Sequence, residues 1–220
     1  MPGSRTGSAF DFDIRMRGRY RVDTAMLRIL QLAALLLAGI SMPPALAQSS
    51  PEDGKRAAAL SAFATVERVF QHPRCSNCHI TGDSPLQFDS GTPHTMRVVR
   101  GPKGQGAPGY ACSSCHGDSN SPPAYGPGAP PGAPHWQLPP PEHKMAWKGL
   151  PSRQFCEAIK DKKFNGNRDL AALLKHVTED KLVLWGWSPG GNRAPVPVTH
   201  AEFLASFKVW ADAGAPCPAR

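Results

Sequence analysis

The 220-residue sequence has no long apolar run after residue 47 and no strong excess of charge. It has only two methionines after residue 47. No stretch after residue 47 reaches the roughly 20 apolar residues that a membrane-spanning helix needs. The chain carries +8, and residues 1–47 hold six Arg and three Asp, which leaves only +5 on the remainder. We therefore expect no stable membrane insertion and no nucleic-acid partner there, and at most steering toward an acidic surface.

The N-terminal segment has the three parts of a signal peptide. Five arginines between residues 15 and 28 form a basic region, Leu30 to Ile40 form an apolar run, and Ala45-Leu46-Ala47 is an A-x-A cleavage site. An uncleaved membrane anchor is the alternative, but the apolar run is too short to span a bilayer. The sequence predicts a signal peptide at 1–47, export to the periplasm, and one domain at 48–220. Translation from Met16 or Met26 would shorten the leader.

Two five-residue motifs dominate the exported part. Cys75-Ser76-Asn77-Cys78-His79 and Cys112-Ser113-Ser114-Cys115-His116 are both C-x-x-C-H, the attachment signature of c-type haem. Two thiols at this spacing bond the two vinyl groups of one porphyrin, and the adjacent histidine becomes the proximal iron ligand. The motifs predict two covalently bound haem c groups, held by the four cysteines and ligated by His79 and His116.

Zinc is the main alternative, because the four cysteines also form a C-x-x-C…C-x-x-C pattern. A four-thiolate zinc site has no use for a histidine after each pair, and it belongs mainly to reducing compartments. Both observations favour covalent haem over zinc, and covalent haem is consistent with the predicted export.

The sixth ligand of each iron distinguishes electron transfer from substrate chemistry. Each motif is followed by one methionine, Met96 or Met145, which we predict as the distal ligands that would raise the potentials. Gap-filling core methionines are the alternative. His94 and His143 are the next candidates. The remaining histidines are expected at the surface or in hydrogen bonds, and His176 is nearest to the apolar face of its helix; these are His72, His135, His176 and His200.

Cys156 and Cys217 remain after four cysteines are assigned to haem. In an oxidising compartment an even remainder favours a disulfide, although two free thiols stay open because sequence does not supply the geometry.

Apolar periodicity predicts a mainly α fold, a c-type cytochrome-like helical domain with long Gly/Pro-rich loops around two haems. Helices are expected over Lys55–Phe70, from Ser152 through Lys162, from Asn167 or Asp169, and from a capping box at Thr199 to Gly214. Gly82 to Gly109 is expected as loop. The tract 121–142 has nine prolines, which predicts a stiff extended loop that could wrap the second haem with Trp136 packed inward.

The chain resembles a family of exported dihaem c-type cytochromes. These are associated, often as a subunit, with molybdenum hydroxylases of the isoquinoline 1-oxidoreductase type. The likeness runs from about Phe63 to Pro218. It is carried by His72-Pro73-Arg74-Cys75, both haem motifs, Arg100-Gly101, Pro134-His135-Trp136, Met145-Ala146-Trp147-Lys148-Gly149, Trp185-Gly186-Trp187 and Gly214-Ala215-Pro216-Cys217-Pro218.

The resemblance implies a periplasmic, non-catalytic electron carrier. It would accept electrons from a molybdenum hydroxylase-type dehydrogenase and pass them to a downstream acceptor in the respiratory chain. The alternative is a dihaem peroxidase with one open iron position. A peroxidase needs a positioned proton-transfer group, and no distal acid–base pair is visible in the sequence. A sensor or structural subunit is a third class, but the chain has no attached signalling domain.

Overall fold

The computed structural model describes residues 50–219, so the signal peptide predicted at 1–47 lies outside the described residues. The described part is mainly helical, as predicted. Its α-helices are α1 (Pro51–Phe70), α2 (Pro73–Ser76), α3 (Ser152–Lys160), α4 (Leu170–Glu179), α5 (Lys181–Leu184) and α6 (His200–Asp212). Its strands are β1 (Leu86–Gln87), β2 (Thr92–Pro93), β3 (Gly106–Ala107) and β4 (Tyr110–Ala111).

Helix α1 begins four residues earlier than the sequence pattern predicts. Ser50 and Asp53 form a capping box, in which each side chain bonds the backbone N–H of the other. Pro51 occupies the first helical position, where its missing N–H costs nothing. The helix buries Phe63, Val66 and other apolar residues on one face, as its periodicity predicts.

The core lies where α1 packs against α6. The rings of Phe63 and Trp210 are 5.2 Å apart between centroids, and both side chains are fully buried. Phe155 of α3 packs on the same aromatic cluster, 5.8 Å from Phe63. Thr199 caps α6 by accepting from the N–H of Glu202 at 3.1 Å, which is one half of the predicted capping box. A domain of the size described, residues 50–219, can bury such a core.

A disulfide between Cys156 and Cys217 ties α3 to the C-terminal segment, and the bridge interpretation is thereby confirmed over two free thiols. The same segment is fixed by two hydrogen bonds: Trp210 Nε1 donates to the carbonyl of Pro216 at 3.0 Å, and Lys160 Nζ donates to that of Ala215 at 2.7 Å.

The predicted capping role of Ser152 is wrong. Ser152 is the first residue of α3, and the cap position belongs to Pro151, whose side chain has no acceptor for a backbone N–H. The Ser152 hydroxyl instead bonds Glu67 Oε2 of α1 at 2.6 Å. This hydroxyl therefore connects two helices rather than closing the end of one.

Residues 77–151 contain only short elements. Strands β1 and β2 form one antiparallel hairpin inside the segment expected as loop, and β3 and β4 form another, whose second strand follows the end of that segment. The proline-rich tract 121–142 is irregular apart from single 3₁₀ turns at Pro123–Tyr125 and Pro141–His143. Further 3₁₀ turns lie at Thr95–Arg97, Cys112–Ser114 and Trp185–Trp187.

Among the helices of the described range, none has the length and apolar character required to cross a bilayer.

Candidate functional site

The first C-x-x-C-H motif is positioned by α2. His72 caps this short helix by accepting from the N–H of Arg74 at 3.3 Å. The N–H of Cys78 bonds the carbonyl of Cys75 at 3.2 Å, so one turn of chain brings both thiols to the same side. Both thiols and His79 line a largely apolar cavity of about 270 Å³, which we call cavity A.

The second motif follows the β3–β4 hairpin. Its 3₁₀ turn, Cys112–Ser114, has bonds from the N–H groups of Cys115 and His116 to the carbonyl of Cys112, at 3.2 and 3.0 Å. Cys112, Cys115 and His116 line another cavity of about 280 Å³, cavity B. The structure thus brings together the two thiols and the imidazole of each motif, one set in each cavity.

Each of the two motif histidines is near a backbone carbonyl and stacks on a tryptophan. His79 Nδ1 lies 3.1 Å from the carbonyl of Met145, and its ring stacks on Trp147 with centroids 3.5 Å apart. His116 Nδ1 lies 2.7 Å from the carbonyl of Pro131, and its ring stacks on Trp136 at 4.6 Å. A carbonyl only accepts, so each Nδ1 carries the proton and each Nε2 keeps its lone pair. Both rings are therefore oriented as metal ligands are.

Burial keeps these groups neutral. It lowers the pKa of His79 to about 3, although the hydrogen bond to Met145 opposes this shift, and it also lowers the pKa of His116. Neutral imidazole is the form that binds a metal. Burial raises the pKa of Cys75 to about 12 and that of Cys78 to about 11. These thiols lack the lowered pKa of a catalytic nucleophile.

The cysteines of the two motifs are all free thiols, whereas the other two cysteines are bridged. Across residues 50–219, no group of three or more His, Cys, Asp or Glu side chains is arranged to hold a bare metal ion. Among the described residues the four motif thiols are therefore not gathered into one four-thiolate group. A haem iron needs no such group, because the porphyrin supplies four of its ligands.

Cavities A and B share a wall. Six residues line both: Arg74, Cys78, Trp136, Gln137, Leu138 and Trp185. Trp136 belongs to the proline-rich tract, so this tract does lie against the second motif with its tryptophan inward. The rings of Trp136 and Trp185 meet edge to face at 4.8 Å, and Trp185 Nε1 donates to Asn120 Oδ1 at 2.9 Å.

Arg74 is the charged group of this shared wall. It is buried, pairs through Nη2 with Asp89, and lies with Cζ 5.6 Å from the centroid of the Trp185 ring. Its Nε is buried without a hydrogen-bond partner. An unpaired nitrogen of a buried guanidinium is costly, so the site lacks one acceptor that an anionic group could supply.

The predicted distal ligands occupy different environments. Met145 is partly buried and lines cavity A, whereas Met96 lines cavity B with its side chain 68% exposed. His94 also lines cavity B, and its ring centroid lies 6.1 Å from that of His116. His143 is exposed and lines neither cavity.

Sequence reasoning missed one residue of cavity A and the role of two tryptophans. His176 of α4 is in a hydrogen bond, one of the two expected alternatives, with Nδ1 3.3 Å from Asp180 Oδ2, and it also lines cavity A, which was not predicted. Its place near the apolar face of α4 was the available signal. Trp136 and Trp147 were noted in the resemblance, but no spacing rule indicates that each stacks on a motif histidine.

Comparison with protein-family models, with curated proteins and with solved structures finds no match to this chain. The functional argument therefore depends on the site itself.

Proposed function

We propose that the chain is a periplasmic dihaem c-type cytochrome that carries electrons and catalyses no reaction itself, with one haem in cavity A and one in cavity B. The observation that carries this proposal is the repeated arrangement of two free thiols, one neutral imidazole and one stacked tryptophan around each of two adjoining apolar cavities. A single such cavity would be compatible with many small ligands. Two cavities that are built on the same C-x-x-C-H motif favour the same covalently bound ligand in both.

The residues present fit haem. Each cavity offers thiols for covalent attachment and an imidazole whose Nδ1 is already bonded, which leaves Nε2 for iron. The cavity linings are mainly apolar, as a porphyrin requires. Arg74 lines both cavities, and its unpaired Nε would gain its missing acceptor from a haem propionate.

When bound, haem supplies one-electron iron chemistry, and the chain supplies attachment, orientation and insulation from water. Cys75 and Cys78 would hold one group and Cys112 and Cys115 the other, so the cofactor stays in place in either redox state. His79 and His116 would be the proximal ligands. The shared wall, in which the rings of Trp136 and Trp185 are in contact, would lie between the two haems.

The resemblance supports a molybdenum hydroxylase-type dehydrogenase as the electron donor and a respiratory-chain component as the acceptor. Hydroxylation of an N-heterocycle or an aldehyde by such an enzyme, with water as the oxygen source, releases two electrons and two protons. Two one-electron centres could take the electrons in turn. A purified dehydrogenase of this class, given its substrate, should reduce the haem bands of this protein, and failure with every tested member of the class would overturn the donor proposal.

The haem proposal is tested by counting haem in variants expressed with the c-type maturation machinery. Cys75→Ala/Cys78→Ala and Cys112→Ala/Cys115→Ala should each keep one haem per chain, and the native sequence should have two, measured as pyridine haemochrome against protein. The matched control, Cys156→Ser/Cys217→Ser, removes two other cysteines and should keep two haems. Native protein without haem would overturn the proposal.

A further inference from the structure

His94 and His116 face the same cavity at a separation that suits one iron between them. Their ring centroids are 6.1 Å apart, and both line cavity B. With iron–nitrogen bonds of about 2 Å and Nε2 about 1.2 Å from its ring centroid, two axial imidazoles on one iron have centroids about 6.3 Å apart. The observed separation agrees with that requirement.

In both His94 and His116, Nε2 is the ring nitrogen that is left free to bind iron. His94 Nδ1 lies 2.8 Å from the carbonyl of Thr95, as His116 Nδ1 lies near that of Pro131. Because a carbonyl only accepts, Nδ1 carries the proton in both rings. Each Nε2 is therefore left with its lone pair, the arrangement expected of metal-binding histidines.

Cavity A also has a second histidine in its lining. His176 lines this cavity together with His79. His176 Nδ1 lies 3.3 Å from Asp180 Oδ2, one turn further along the chain. A carboxylate bonded to Nδ1 fixes the tautomer and makes Nε2 a stronger ligand.

The methionine of cavity A does not reach the position opposite His79. Its carbonyl bonds His79 Nδ1, so the Met145 backbone lies behind the imidazole, on the side away from Nε2. A sulfur across the iron from Nε2 would be about 9 Å from that carbonyl oxygen, whereas an extended methionine spans only about 6 Å from carbonyl oxygen to Sδ. Met145 therefore packs beside the proximal ligand.

In cavity B, Met96 is less suited than His94 to be the distal ligand of the iron. Its side chain is 68% exposed, and its backbone lies at φ 63°, a conformation that non-glycine residues seldom adopt. The sulfur of a distal methionine is normally excluded from water. His94 is half-buried and already lies at the required distance from His116.

We propose that both irons have two axial histidines, His116 with His94 in cavity B and His79 with His176 in cavity A. The inference rests on the proposed function, because it assigns the sixth ligands of the same two haems. Two histidines leave no open position for peroxide, and they set lower potentials than histidine with methionine would.

The test is carbon monoxide binding to the reduced dihaem protein, followed in the visible spectrum. Native protein should bind none, because every sixth position is taken. His94→Ala and His176→Ala should each bind one carbon monoxide per chain, and the double variant two. The matched controls, Met96→Ala, Met145→Ala and His143→Ala, should bind none.

Near-infrared spectra of the oxidised protein give a second readout. The native protein should show the charge-transfer band of histidine–histidine ligation and no sulfur–iron band. In His94→Gly, added imidazole should restore the native spectrum, which separates loss of a ligand from loss of the fold. A sulfur–iron band, or carbon monoxide binding by a methionine variant and not by the histidine variants, would overturn the inference.

Haem counts distinguish the two proposals. A protein with two haems and a sulfur–iron band overturns the ligand assignment and leaves the proposed function standing. A protein without haem overturns both.

Discussion

The imidazole of His79 lies flat on the indole ring of Trp147, with ring centroids 3.5 Å apart and planes 15° from parallel. Trp147 is itself buried, and its Nε1 donates to the carbonyl of Phe70 at the end of α1, at 2.9 Å. His79 is therefore held by a stacked ring and by the carbonyl of Met145. Its orientation is fixed by the protein and needs no ligand to set it.

Trp147→Phe should destabilise the protein while keeping an aromatic ring against His79. The change removes the indole N–H, so the buried carbonyl of Phe70 loses its donor, which should lower the free energy of unfolding by about 1–3 kcal/mol. Urea denaturation followed by circular dichroism measures this. Tyr125→Phe, at a side chain 76% exposed, is the control and should change little. Equal stability of the two variants would contradict the role of the indole N–H.

The helices could be predicted from sequence because they depend on local information. The apolar residues of α1 and α6 recur at helical spacing, and the ends of these helices have caps within three or four residues. The two C-x-x-C-H motifs could be recognised for the same reason, since all five residues of each are adjacent. The start of helix α1 was predicted four residues too late, because the prediction did not use the Ser50–Asp53 capping box.

The site contacts could not be predicted, because they join distant residues. His79 and Trp147 are 68 positions apart in the sequence, and His116 meets Trp136 through a tract with no regular structure. Sequence spacing also favoured Met145 as a ligand of the iron. It gave no indication that the backbone of this residue, rather than its sulfur, contacts His79.

Arg100→Lys should be markedly destabilising. The guanidinium is 1% exposed and donates to the carbonyls of Pro139, Gly82 and Ile80, at 3.0 Å for Gly82 and 3.3 Å for Ile80. A lysine ammonium is a single point and does not reproduce this fork of donors, so at least one carbonyl loses its partner. We expect a loss of about 2 kcal/mol or more in the free energy of unfolding, measured by urea denaturation.

The control for this prediction is Arg56→Lys, an exposed position on α1, which should change stability by less than about 0.5 kcal/mol. If the two substitutions cost the same, Arg100 does not hold the loop carbonyls together.

Gly104→Ala should be more harmful than Gly109→Ala, although both residues have positive φ angles, 82° and 77°. A Cβ at Gly104 would overlap the carbonyl of Leu138, whereas at Gly109 it would meet no atom within 4 Å. Gly109→Ala should cost about 1–2 kcal/mol from backbone conformation alone. Gly104→Ala should cost at least about twice that, because the backbone must also shift. Thermal unfolding compares them, and equal melting temperatures would contradict the close approach.

Removing the disulfide with Cys156→Ser/Cys217→Ser should lower stability by about 4 kcal/mol, because the bridge joins residues 61 positions apart and restricts the unfolded chain. Denaturant unfolding of native and variant protein gives the difference. Non-reducing alkylation of the native haem protein should find no free thiol, since four cysteines would be bonded to haem and two to each other. Two alkylated cysteines would show that the bridge is absent in solution.

The most direct test of the account is the intact mass of the protein, expressed with the c-type maturation machinery, after denaturation and extraction with acidified acetone. The account predicts that the colour stays with the protein, and that the mass equals that of the processed chain plus two haem groups. Colour in the extract, or a mass without two covalently bound haems, would contradict it.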